Sequence, residues 1–328
     1  MISAETRAGA SQPATRLPDF FIVGQPKSGT TALYEMLGAH PQIFLPASKE
    51  PWFFASELHV RTPPRPEGTP RTLEEYATLF AAARDDQRVG EASPQYLWSR
   101  TAAAAIAAVQ PGAQIIAIFR EPVSFLRSLH AQCVQTYVET ESDFARALSL
   151  EPARREGRHI PRHTYWPDRL LYSEHVKYVD QLRRFDALFP ADQMLILIYD
   201  DFSTDNEGTV RRVLRFLKVD DTVPVTVREA NPTVHVRSKH LNTLVHTLSV
   251  GRGPISMAVK GTVKAVVPRR LRRGALAAAK QRIVYGGEPA VDESLIADLR
   301  RRLLPEVEAF GRYIDRDLIK LWGYDGLA

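Results

Sequence analysis

Phe20-Phe21-Ile22-Val23-Gly24-Gln25-Pro26-Lys27-Ser28-Gly29-Thr30-Thr31 is an apolar run that breaks into a Gly, Pro and Lys turn and then into a helical pattern. Residues 20 to 23 are β-favouring and apolar throughout, as in a strand buried on both faces. Gly24 and Gly29 allow tight turning and close approach of the backbone to a ligand. Beyond them Ala32, Leu33, Met36 and Leu37 recur at helical spacing. The unpaired N–H groups around Gly29 to Thr31, and the positive helix end, are therefore expected to face an anion. Lys27 adds a mobile charge, and Ser28, Thr30 and Thr31 add hydroxyl donors. The pattern is close to the phosphate loop Gly-x4-Gly-Lys-Ser/Thr, but Thr30 follows Gly29 and the lysine comes before it. A lysine inside the loop is expected beside the bond between the cradled phosphate and whatever group leaves or arrives there.

Outward from this stretch, strand and helix signals alternate. Gly38-Ala39-His40-Pro41 ends the first helix, and Ile43-Phe44-Leu45 is a short strand. Proline-rich residues 59 to 72 form a surface loop, and Leu73 to Ala83 a helix. Val89 to Leu97 is a strand end with a loop, followed by an alanine-rich helix from Thr101 to Val109. Ile115 to Phe119 and Met194 to Ile198 are the other strong buried strands; the first ends at Arg120-Glu121-Pro122 and leads into a helix from Val123 to Tyr137. Residues 150 to 168, rich in Arg, His and Pro, are expected to be irregular. Val176, Val179, Leu182, Phe185 and Phe189 mark one further helix, and Val210, Val213, Leu214 and Leu217 another. This alternation predicts an α/β, P-loop-like, three-layer fold with a central parallel sheet flanked by helices. Ligands of such sheets sit beyond the carboxyl ends of the strands, where the loop, Arg120 and Asp200 are expected to converge.

The chain has 328 residues, 44% of them hydrophobic and 25% charged, which suits a substantial globular core. Residues 1–17 are expected to be a disordered tail, and 18–328 a single domain. Cys133 is the sole cysteine, so no internal disulfide and no thiolate cluster for zinc is available. There is neither a long apolar run nor a signal-peptide pattern, and the expected location is cytoplasmic. The net charge is +5, yet residues 251–287 hold nine basic residues and no acidic one, leaving −4 elsewhere. That segment, with apolar residues interleaved, is expected to be a solvated face or lid, a peripheral contact with anionic lipid, or a wall of the binding site. Its one aromatic is Tyr285, too few for a stacking surface, which argues against nucleic acid.

Three segments resemble signature stretches of the sulfotransferase superfamily that uses 3′-phosphoadenosine 5′-phosphosulfate: Gly24 to Thr31, Lys49-Glu50-Pro51-Trp52-Phe53-Phe54, and Arg120-Glu121-Pro122 with Ser128. The likeness is to the heparan sulfate sulfotransferase-like branch and its bacterial members. It extends through Tyr199-Asp200-Asp201-Phe202, Asn231-Pro232 and Trp322-Gly323-Tyr324, so 18–328 is identified as one sulfotransferase domain. The resemblance implies that Lys27 contacts the bridging oxygen of the donor and that Gln25, Pro26, Ser28, Gly29, Thr30 and Thr31 surround its 5′-phosphate. It further implies that Arg120 and Ser128 hold the 3′-phosphate, that Arg237, Ser238 and Lys239 add donor contacts, and that Glu50 is the general base. The implied product is the 3′,5′-bisphosphate, no metal takes part, and the acceptor is a sugar, a glycolipid or a hydroxylated natural product. The chemistry agrees: charge developing on a departing phosphate oxygen suits a lysine and aligned N–H groups. A carboxylate beside Trp52, Phe53 and Phe54 suits proton removal. Heparan-modifying members carry a lysine where this chain has Ala92, which points away from an anionic acceptor gripped there.

Two other classes stay open on the sequence: a magnesium-dependent kinase using the same loop, and a non-catalytic nucleotide-binding or membrane-surface module. His130, His163 and His175 are alternative bases, each expected to be structural or solvated. Trp52, Trp98, Tyr165, Trp166 and Tyr172 are candidates for an acceptor pocket, although aromatics of this kind are mostly core.

Overall fold

A computed structural model describes residues 16–59, 69–162, 164, 166–227, 235–236, 285–286 and 292–327. They fall into two compact units, Met1–Arg120 with Asp180–Ala230, and Glu121–Val179 with Asn231–Ala328.

The first unit carries a five-stranded parallel sheet of β1 (Phe20–Gly24), β2 (Ile43–Phe44), β3 (Arg88–Ala92), β4 (Gln114–Phe119) and β5 (Met194–Ile198), in the order β2-β3-β1-β4-β5. All residues of β1 and β4 are buried, as their apolar character, broken only by Gln114, requires of strands covered on both faces. Phe20 pairs with Gly90, and any Cβ at position 90 would meet the Phe20 ring at 2.1 Å, so only glycine fits beneath it. Helices α1 (Thr30–Gly38), α2 (Leu73–Thr78) and α3 (Ala102–Val109) belong to this unit. Ala32, Leu33, Met36 and Leu37 of α1 pack with Val210, Val213, Leu214 and Leu217 and with Ile116 and Ile118 of β4 in one core. Each fully buried aliphatic side chain there contributes about 1.5–3 kcal/mol.

The second unit begins at Glu121 and holds α4 (Pro122–Gln135), α5 (Phe144–Ser149) and α6 (Glu151–Arg155). Helix α7 (Tyr178–Asp186) leads back to the sheet, and α8 (Tyr199–Thr204) and α9 (Asn206–Phe216) follow β5 in the first unit. A two-stranded antiparallel pair, β6 (His235–Val236) and β7 (Tyr285–Gly286), then α10 (Glu293–Tyr313) and α11 (Leu318–Leu321), complete the second unit. Its core includes an edge-to-face pair, Tyr178 on Phe310 at 5.2 Å, and Phe310 stacks on Trp322 at 6.2 Å. Glu121 caps α4 through the N–H groups of Val123 and Ser124 and accepts the Tyr324 hydroxyl at 2.6 Å, which ties the chain's end to the start of that helix.

Several sequence expectations shift. Helix α2 stops at Thr78 because Leu79, Phe80, Ala81 and Ala83 close tight turns onto carbonyls three residues back. The region 150–168 is not wholly irregular: Pro152 opens α6, whose Arg154 is buried against Glu139. The helix expected through Phe189 ends at Asp186 and is preceded by a 3-10 turn over Tyr172–Val176. Helix α10 was not anticipated; Pro305 interrupts its pattern. The segment 251–287 lies outside the described residues apart from β7, as do residues 1–15.

Candidate active site

The loop after β1 occupies the carboxyl edge of the sheet, as expected. Between β1 and β4 the pairing jumps from Ile22–Ile116 to Gly24–Ala117, leaving Val23 as an extra residue. Such a bulge re-aims the chain at a strand end. Gln25 N–H then donates to the Ile118 carbonyl at 2.7 Å, anchoring the loop to β4. Gly29 takes a left-handed conformation, φ +86°, at the start of α1, and a Cβ there would stand 3.0 Å from the Phe202 ring. Both facts demand glycine. Among the described residues no side chain caps α1, and no acidic residue lies in its first turn. Its leading N–H groups and helix dipole are thus available to an anion.

Ser28 is fully buried, and its hydroxyl has no hydrogen-bond partner among the described residues. A buried hydroxyl left unmatched inside a loop of donors fits a phosphate-bearing ligand, because such a group normally finds a partner. Gln25, Pro26 and Thr30 are also buried, whereas Lys27, Gly29 and Thr31 are partly exposed. Arg120 reaches the same loop: its guanidinium lies over the Tyr199 ring at 4.8 Å and donates to the Lys27 carbonyl at 3.3 Å. Asp200 stands in the first turn of α8 beside that tyrosine.

Glu50 is drawn to the loop through its neighbour. Lys49 Nζ donates to Thr31 Oγ1 at 3.0 Å and to Glu50 Oε1 at 3.1 Å. Trp52 Nε1 approaches Glu50 Oε2 at 3.3 Å, and the Glu50 side chain keeps 31% exposure. Glu50 and Trp52 both adopt left-handed backbone, φ +63° and +52°, so this turn is held against its local preference.

Behind that turn stands a group that no local sequence motif singles out. Glu91, at the end of β3, is completely buried and accepts hydroxyls from Ser93 at 2.5 Å, Tyr76 at 2.7 Å and Tyr96 at 3.0 Å. Burial pushes its carboxyl up to about 7, the negative charge of Glu50 adds to this, and the three hydroxyls oppose it. A glutamate inside the otherwise apolar strand Val89-Gly90-Glu91-Ala92 was the available signal. Ala92 itself lies in the core.

Ser128 is buried on α4 in the second unit, whereas Arg120 closes a segment of the first. Arg237, Ser238 and Lys239 lie outside the described residues, as do His163 and Tyr165. His130 and His175, both in the second unit, are buried and bonded through Nε2 to the carbonyls of Glu141 and Arg169. Burial lowers the pKa of each, that of His175 to about 4. Trp98, Trp166 and Tyr172 are core residues, and Trp52 is half-buried. Among the described residues no cluster of metal-ligating side chains is found.

A parallel sheet with an anion loop at the carboxyl end of its central strand defines an α/β protein of the phosphate-loop class. Residues 17–234 match the sulfotransferase domain family, and the chain belongs to it. It is 30% identical over 207 residues to mouse (Mus musculus) heparan sulfate glucosamine 3-O-sulfotransferase 3A1, covering 62% of this chain and 46% of that protein. It is 27% identical over 251 residues to human (Homo sapiens) carbohydrate sulfotransferase 15, with 62% and 44% covered. The chain therefore spans about half the length of these relatives. A sulfotransferase crystal structure from Alicyclobacillus acidocaldarius superposes with a TM-score of 0.58 at 27% identity, over 79% of this chain and 100% of that one.

Proposed function

We propose that the protein transfers a sulfuryl group from 3′-phosphoadenosine 5′-phosphosulfate to a hydroxyl of a carbohydrate, glycolipid or hydroxylated natural product. The sugar acceptors named for its relatives favour the first. The observation that carries the reading is the Thr31–Lys49–Glu50 chain of contacts, which sets a solvent-reachable carboxylate beside an anion loop. The donor supplies a sulfuryl group joined to its 5′-phosphate. Glu50 takes the proton of the acceptor hydroxyl. Lys27, the N–H groups at the start of α1 and the Ser28 hydroxyl stabilise the charge left on the departing phosphate oxygen. Arg120 grips a phosphate, a role suited to its planar fork. Ser128, with Arg237, Ser238 and Lys239, would complete the hold on the nucleotide, as the family resemblance implies. Ala92, buried in the core, offers no cation to an acceptor, which favours a weakly charged one.

Calorimetry with adenosine 3′,5′-bisphosphate and with ATP tests this first. The bisphosphate should bind more tightly, and Glu50→Gln should leave that binding intact while lowering sulfuryl transfer roughly 10²–10⁴-fold. Tighter ATP binding with magnesium-dependent turnover would replace the reading with a kinase.

A further inference from the structure

The turn that carries Glu50 is fastened to β3 and the segment after it through protein hydroxyls. Glu50 N–H donates to the Ala92 carbonyl at 3.2 Å. Trp52 N–H donates to Ser93 Oγ at 3.1 Å, and Ser93 donates in turn to Glu91. Phe54 N–H approaches the Tyr96 hydroxyl at 3.4 Å, and Tyr96 likewise donates to Glu91. A hydroxyl has one proton to give. Once that proton is directed at Glu91, the oxygen's lone pairs are left to receive the backbone N–H of residue 52 or 54. An ionised carboxylate is an acceptor only, so it fixes both hydroxyls in that direction.

We propose that Glu91 is a positioning residue for Glu50: buried behind the turn, it polarises the Ser93 and Tyr96 hydroxyls so that they hold residues 52–54, and with them the left-handed turn at Glu50. This rests on Glu50 acting as the base. Glu91 cannot take that part itself, since it is fully buried. Among the described residues Tyr76 also donates to Glu91 but receives no N–H of the turn, and its ring stacks on Phe53 at 4.6 Å. Its hydroxyl therefore serves as the internal control.

Amide hydrogen exchange at residues 52–54 tests the proposal directly, beside bisphosphate calorimetry and turnover of the sulfate donor with a glucosamine-containing oligosaccharide. Glu91→Gln forces an amide donor against the hydroxyls and should speed exchange at 52–54. Turnover should fall roughly ten- to hundredfold, as expected when a catalytic group is misplaced, with bisphosphate affinity unchanged. Ser93→Ala and Tyr96→Phe, which keep Glu91, should each reproduce part of the effect, whereas Tyr76→Phe should leave exchange at 52–54 alone. Unchanged exchange in Glu91→Gln overturns the proposal, as does an equal loss of bisphosphate binding, which marks general damage. If Glu91→Gln does not fold, the two hydroxyl variants decide: protected amides at 52 and 54 in both would refute it. A wild-type protein that binds the bisphosphate but transfers nothing counts against Glu50 as base, while the exchange measurements still judge the role of Glu91.

Discussion

Glu91 in the first unit and Glu139 in the second are almost wholly buried, and the two are held in opposite ways. Glu139, in the second unit, meets the Arg154 guanidinium at 2.7 Å, the Tyr172 hydroxyl at 3.1 Å and the N–H groups of Thr140 and Glu141 at 2.8 Å. Glu91, in the first, is met by three hydroxyls, and no cation pairs with it among the described residues. A buried carboxylate costs several kcal/mol unless compensated. Glu139 is compensated by a full opposite charge, so it can serve as a fixed structural tie. Glu91 is compensated by dipoles alone, and its protonation is balanced near neutral pH. Poised groups of that kind gather near sites of chemistry, and this one stands directly behind the turn of Glu50.

The most severe way to break the contrast is to remove the cation from the compensated member. Arg154→Met leaves Glu139 buried and unpaired, and denaturant unfolding should show a loss of about 3–5 kcal/mol. Adding Glu139→Gln, which removes the orphaned charge and keeps an acceptor for the two N–H groups, should recover most of it. If the single variant loses less than the double, Arg154 is not what keeps Glu139 in the core.

The next test uses proton binding. The carboxyl of Glu91 is raised from an ordinary 4.5 to about 7 in the folded chain, so between those values the native state holds a proton that the unfolded chain has released. Stability is therefore complete below the lower value and lost as pH rises through the higher one, by roughly 3 kcal/mol in all. Unfolding curves for wild type and Glu91→Gln should converge at alkaline pH from a wild-type advantage at pH 5. Parallel curves would show that Glu91 titrates normally. If ionised Glu91 holds the turn, turnover should rise over the same interval in which stability falls.

Why the loop could be read from sequence and Glu91 could not follows from where each draws its meaning. Gly24 to Thr31 combines a strand, two glycines, a lysine and a helix start within one short stretch, and every one of those signals is local. Glu50 was legible for the same reason, since Lys49 and Trp52 adjoin it, although the bond from Lys49 to Thr31 spans helix α1 and strand β2. Glu91 owes its role to Tyr76, fifteen residues earlier, and to Tyr96, and only the packing of α2 and the segment after β3 brings those hydroxyls to one carboxylate. The sheet was legible because β1, β5 and all of β4 but Gln114 are unbroken apolar runs. The short helices around Arg154 were not, because a buried arginine looks like a surface residue until its partner is placed.

A finer test compares single hydroxyls at the two glutamates. Tyr172→Phe removes one donor from a carboxylate paired with an arginine, so its cost should be that of a hydrogen bond to a charged group, about 1.5–3 kcal/mol. Tyr76→Phe removes one of three donors from a carboxylate that titrates near neutral pH. Below pH 6 Glu91 is protonated and the bond is neutral, so the cost should be smaller, about 0.5–1.5 kcal/mol. Above pH 8 the bond is to a charge, and the cost should grow to about 1.5–3 kcal/mol. Thermal or denaturant unfolding of both variants across that range reads the difference. A pH-independent cost at Tyr76 would mean that Glu91 keeps one protonation state throughout, and the distinction between a tied and a poised carboxylate would go with it.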